Sequence, residues 1–65
     1  MAIAPVGLLV IRAWVEQGSG RVLRAEIRLT SDVGRGFEQQ VTLSEPAPIE
    51  ALVRAWLADV LAAGE

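Results

Sequence analysis

The chain has 65 residues, a net charge of −2 and 52 % hydrophobic residues, and it contains no cysteine and no histidine. A chain of this length forms one domain, residues 1–65, and buries only about 60 % of the surface that its unfolded form exposes. Disulfides and histidine- or cysteine-bound metals are excluded as reinforcement, which leaves association with another chain. The small negative net charge also provides no positive field that would attract polyanions.

Arginine supplies all six basic residues, in a chain rich in alanine, glycine and valine. This bias is typical of a bacterial-like, GC-rich coding composition. Because cysteine is absent, we expect a reducing, cytoplasmic location. The apolar N-terminal segment has no basic residues before it and continues into an alternating strand, so we interpret it as mature protein. No apolar run reaches the roughly 18 residues of a membrane span, and we expect no membrane association.

Two segments of alternating apolar and polar residues, 8–16 and 21–30, flank a glycine-rich loop of residues 18–20. This pattern predicts a β-hairpin with one apolar face. If Gln17 faces Arg21, each residue on the apolar face of the first strand faces an apolar residue of the second, a match that a one-residue slip would destroy. The predicted pairs are Leu9 with Leu29, Ile11 with Ile27, Ala13 with Ala25, and Val15 with Leu23.

A second three-residue segment that ends in glycine, residues 32–34, predicts a turn into a third strand over residues 37–43. This strand is shorter and more polar than the first two, as suits the outer strand of an antiparallel meander. Gln39 would be the one polar residue on the apolar face. The predicted pairs are Leu29 with Phe37, Ala25 with Val41, and Leu23 with Leu43.

After the third strand, the apolar period changes from 2 to 3.6 and predicts a helix over residues 48–63. Pro48 suits its first turn and Gly64 its end. We expect an α+β fold, a three-stranded antiparallel β-meander followed by one C-terminal α-helix packed on its apolar face. The stripe that would close the core consists of Ile49, Leu52, Val53, Trp56, Leu57, Val60 and Leu61.

The side chains that enzymes use most are missing, since the chain has no histidine, cysteine, lysine or tyrosine. Glu16, Glu26 and Glu38 share one sheet face, but the predicted register places Arg12 opposite Glu26 and Arg28 opposite Glu38. This arrangement favours a lattice of opposite charges over an acid–base pair. No acidic spacing resembles a metal-binding loop. We therefore expect no catalytic site, metal, cofactor or small-molecule substrate.

The open face of the sheet, opposite the helix, carries one aromatic residue, Trp14. Val10 lies beside it and Arg24 across the hairpin, where a guanidinium can stack on the indole. Trp14 is either an anchor for another protein or a local lid over Val10 and the Arg24 stem. We interpret the chain as a non-enzymatic protein-interaction module with an unidentified partner, and the candidate contact residues are Val10, Arg12, Trp14, Arg24 and Arg28.

Self-association is the first interaction that the sequence predicts. In a 1-2-3 meander the first strand is an edge, and an apolar edge invites pairing with another chain. We expect a homodimer through this edge or through the open face, with the edge formed by Leu8, Leu9, Val10 and Ile11. A stripe of small residues on the helix would let another helix approach, or it reflects helix propensity alone; the stripe is Ala51, Ala55, Ala58 and Ala62.

The predicted β-β-β-α order is similar, in element order only, to the sheet and last helix of double-stranded RNA-binding domains and to some antitoxin folds. The alternative function is therefore a nucleic-acid-binding or antitoxin-like protein. Against it, the helix begins with an acidic segment, three glutamates offset the arginines of the open face, and a single aromatic residue gives a poor stacking surface. The residues it would use are Arg12, Arg24, Arg28 and Trp14.

Overall fold

The structure is a computed structural model that describes residues 5–18 and 20–64. Strands β1 (Leu8–Glu16), β2 (Val22–Thr30) and β3 (Gln39–Leu43) form an antiparallel sheet in the order β1-β2-β3. Helix α1 (Pro46–Ala63) follows β3 directly, two residues earlier than predicted, and Gly64 caps its end. The predicted α+β fold is confirmed.

The ladder between β1 and β2 has the predicted register over its whole length. Ile11 lies opposite Ile27, Ala13 opposite Ala25, and the remaining apolar pairs match as well. Opposite residues of an antiparallel pair point to the same side of the sheet, so the apolar side chains share one face. The predicted loop between the strands contains Ser19, which lies outside the described residues.

The ladder between β2 and β3 differs from the prediction by two residues. Leu29 faces Gln39 rather than Phe37, and Ala25 faces Leu43. A shift of two keeps each side chain on its expected face, and for this reason Gln39 still belongs to the apolar face, where it is exposed. Phe37 is outside the strand and exposed.

The cause of the shift is a longer turn. The Asp32 side chain accepts a hydrogen bond from the Gly34 amide at 2.9 Å and begins a single 3₁₀ turn over Val33–Arg35. Gly36 ends this turn with φ of 74°, a conformation that favours glycine. The chain therefore enters β3 two residues later than a turn ending at Gly34 would allow.

The helix meets the sheet where β2 ends. Trp56 donates a hydrogen bond from Nε1 to the Thr30 carbonyl oxygen at 2.9 Å, which confirms Trp56 as a packing residue. Gly7 lies so close to the helix that a Cβ there would be 2.5 Å from Val60 Cγ2. The core is small, and its buried apolar residues are Ala25, Ile27 and Leu29.

Much of the apolar surface lies outside this core, contrary to the expectation that the helix closes the whole face. On β1, Ile11, Ala13 and Val15 are exposed, and on the helix so are Leu57 and Leu61. A helix about 10 Å wide covers roughly two strands spaced 4.8 Å apart, so a third strand stays open. The Cα radius of gyration is 14.3 Å, against about 11 Å for a compact domain of this length.

Candidate interaction surface

The backbone of β1 forms an edge whose free groups can be identified. The Leu29 carbonyl accepts a hydrogen bond from the Glu38 amide at 3.2 Å, so Leu29 directs its backbone groups toward β3. Successive residues of a strand alternate in this direction, and Arg28, Glu26 and Arg24 therefore face β1. Their partners on β1 face back, which leaves outward N–H and C=O groups at Leu9, Ile11, Ala13 and Val15.

The side chains of this edge are apolar and accessible. Leu8, Val10 and Ile11 are each more than two-fifths exposed, and Leu9 is half-buried. Accessible apolar side chains therefore lie on both faces of the same strand. Within the described residues, the predicted dimer edge combines outward-facing backbone groups with apolar surface.

Trp14 lies on the open face of β1, 37 % exposed, and opposite Arg24 as predicted. The cation over its ring belongs to a different arginine, because Arg12 Cζ lies 5.3 Å from the indole centroid. Arg24 instead places Nε 3.3 Å from a Glu16 carboxylate oxygen. The predicted stacking of Arg24 on Trp14 is therefore wrong, and its physical reason is the competing carboxylate one diagonal step away.

The remaining charges of the open face also pair differently from the predicted lattice. Arg12 lies opposite Glu26 as expected. Arg28, however, faces Gln40 because of the shifted ladder, and its Nε lies 3.5 Å from Glu26. Glu38 accepts a hydrogen bond from the Thr30 hydroxyl at 3.2 Å. The two ion pairs, Arg24 with Glu16 and Arg28 with Glu26, are partly exposed, and each contributes at most about 1 kcal/mol. Their carboxylates partly offset the positive charge of the face.

A shallow apolar pocket of about 50 Å³ opens at the start of β1. It forms because the turn after β2 folds back, and the Val33 amide donates to the Val6 carbonyl at 2.8 Å. Its lining residues are Leu8, Thr30, Val33, Gly36 and Phe37. The pocket was not predicted from the sequence, because Phe37 was placed inside a strand. The Asp-Val-Gly segment at residues 32–34 indicates a turn, and a longer turn at this point leaves Phe37 outside the strand.

Three further features concern the alanine stripe of the helix, clusters of acidic side chains and membrane-spanning helices. The stripe Ala51, Ala55, Ala58 and Ala62 is exposed on α1. In residues 5–18 and 20–64, no three acidic side chains come together as a metal site. No helix in this part of the chain has the length and apolar character to cross a membrane.

The sequence and the fold were compared with known proteins. A scan against protein-family models, a search of curated proteins and a search of solved structures each found no match.

Proposed function

We propose that this chain is a non-enzymatic protein-interaction module that works as a homodimer joined along the β1 edges. Two copies would pair β1 with β1 and form one continuous six-stranded sheet from two three-stranded ones. The observation that carries the proposal is the edge itself, a nine-residue strand with outward backbone groups and apolar side chains on both faces.

A partner strand along this edge would stabilise the chain. Among the residues that the structure describes, three buried apolar side chains give a thin core, and chains of this size depend on further reinforcement. An exposed, long apolar edge strand is a site at which another strand adds readily. Pairing would provide hydrogen-bond partners for the outward N–H and C=O groups of Leu9, Ile11, Ala13 and Val15. It would also bury apolar surface, which stabilises the dimer by about 25 cal/mol per Å².

The nucleic-acid alternative has weaker support. Arg24 and Arg28 each have a carboxylate within 3.5 Å, and Arg12 lies over Trp14. Phosphate binding would have to displace these contacts. Among the described residues of the open face, no further basic cluster adds to the three arginines, so phosphate binding would depend on these three alone.

Sedimentation equilibrium and thermal unfolding over a range of protein concentrations test the dimer. We expect twice the chain mass at about 100 µM, and a midpoint that rises with concentration because a dimer unfolds to separate chains. Ala13→Pro removes one outward N–H, a change that edge strands tolerate, and should shift the protein to monomer. Ala13→Ser is the matched control and should remain dimeric.

A monomer at every concentration, with a midpoint independent of concentration, would overturn the proposal. Salt-sensitive binding to a mixed pool of RNA and DNA, lost on Arg24→Glu, would instead support the nucleic-acid function.

A further inference from the structure

Trp14 and the apolar pocket at Leu8 both lie on the open face, at opposite ends of β1. Within one chain they are six residues apart along a strand, about 20 Å, and do not meet. An antiparallel copy of β1 reverses this order, so it can bring the tryptophan of one copy to the pocket of the other.

Any antiparallel register with a residue on the two-fold axis keeps both faces aligned. Three such registers pair seven or more residues of the nine-residue strand, and they place Ile11, Arg12 or Ala13 on the axis. With Arg12 on the axis, two guanidinium groups would lie directly opposite each other, which is destabilising. With Ala13 on the axis, Leu9 would face Gln17 and Val10 would face Glu16. With Ile11 on the axis, Ile11 faces Ile11, Leu9 faces Ala13 and Val10 faces Arg12. No like charges lie directly opposite each other, and Leu9 keeps an apolar partner.

The Ile11 register has a second consequence on the open face. It places Leu8 directly opposite the partner subunit's Trp14, since both are three residues from the axis. Aromatic side chains reach neighbours 7–8 Å away across a ladder, and the pocket begins at Leu8 and continues over Thr30 to Val33 and Phe37. Two features that one chain leaves separate and exposed thus become complementary.

We propose that the dimer forms with Ile11 on its two-fold axis, and that the Trp14 indole of each copy packs over Leu8 against the Val33 and Phe37 rim of the other. The inference rests on the proposed function, since it requires pairing of the β1 edges. Arg12 Cζ stays over the ring of its own Trp14, 5.3 Å from the centroid. Each dimer contains this contact twice.

Mixing two variants tests the contact. Trp14→Ala and Phe37→Ala homodimers each lose both contacts, and their dissociation constants should rise about 100-fold, about 10-fold per contact. The mixed dimer keeps one intact contact, Trp14 of one chain with Phe37 of the other. Native mass spectrometry of the mixture should therefore show the heterodimer well above the share of about half expected when effects are additive.

The matched control mixes Trp14→Ala with Val22→Ala instead of Phe37→Ala. Val22 is an exposed residue of the open face at the other end of the sheet. That mixture should contain the random share of heterodimer.

The absence of cysteine allows an independent register test with single cysteines at the exposed positions 11, 12 and 13. Under oxidation, Ile11→Cys should form the disulfide-linked dimer fastest, because only the residue on the axis faces its own copy.

The outcomes separate this inference from the proposed function. A dimer that shows no heterodimer preference, or that crosslinks fastest through Arg12→Cys or Ala13→Cys, overturns the register while the β1 dimer stands. A wild-type chain that is monomeric at every concentration overturns both.

Discussion

Ile27 and Ile11 lie directly opposite each other on the same face of the sheet. Ile27 is fully buried, whereas Ile11 is 44 % exposed. The difference comes from the position of the strand: β2 is central and covered, and β1 is an edge beyond the width of one helix. The same residue type in the same alternating pattern therefore stabilises the single chain at one site and forms accessible surface at the other.

The sharpest test of this comparison is to truncate both isoleucines. Ile27→Ala should destabilise the chain by about 3 kcal/mol, the range of buried aliphatic truncations. Ile11→Ala should cost under about 1 kcal/mol when urea unfolding is measured at protein concentrations that keep the chain monomeric. If Ile27→Ala abolishes the transition, Ile27→Val, at about 1 kcal/mol, gives the same comparison. Equal effects at the two sites would contradict a helix that covers β2 and leaves β1 exposed.

A second test addresses the place where β1 and the helix do come together. A Cβ at Gly7 would lie 2.5 Å from Val60 Cγ2 and 3.3 Å from Trp56 Cζ2. Valine is stiff at χ1, so Gly7→Ala should cost about 2 kcal/mol of unfolding free energy, as overpacking does. Val60→Ala in the same chain should recover part of this loss.

Gly18→Ala is the control for that pair, because open space surrounds a Cβ at Gly18. Its effect on the urea midpoint should stay within about 0.5 kcal/mol. A Gly7→Ala variant as stable as Gly18→Ala would mean that the helix lies farther from the start of β1.

The sequence allowed the β1–β2 ladder to be predicted in full because apolar residues alternate without a break on both sides of a short loop. The β2–β3 ladder was wrong by two residues. Gln39 and Gln40 carry little information about which face is buried, and the side-chain hydrogen bond of Asp32 lengthened the turn. Local side-chain chemistry, rather than hydrophobic pattern, decided that register.

The candidate surface, like the sheet register, was predictable only in part. The alternation placed Trp14 on the open face and Arg24 opposite it. It could not choose between two arginines that both lie within reach of the indole, and Glu16 drew Arg24 away. Alternation also identifies a face without giving its coverage, so the exposure of Ile11 and Val15 required the structure.

The smallest expected effect distinguishes the two possible turns on the β3 side of β2. Gly36 has φ of 74° and ψ of −174°, a region populated almost only by glycine, so Gly36→Ala should cost about 1 to 2 kcal/mol. Gly34 has no positive φ, and a Cβ there would lie 3.1 Å from an Asp32 carboxylate oxygen, which can move. Gly34→Ala should therefore cost less than Gly36→Ala in urea unfolding. The reverse order would indicate the shorter turn, with Leu29 facing Phe37, and would remove Phe37 from the rim of the pocket.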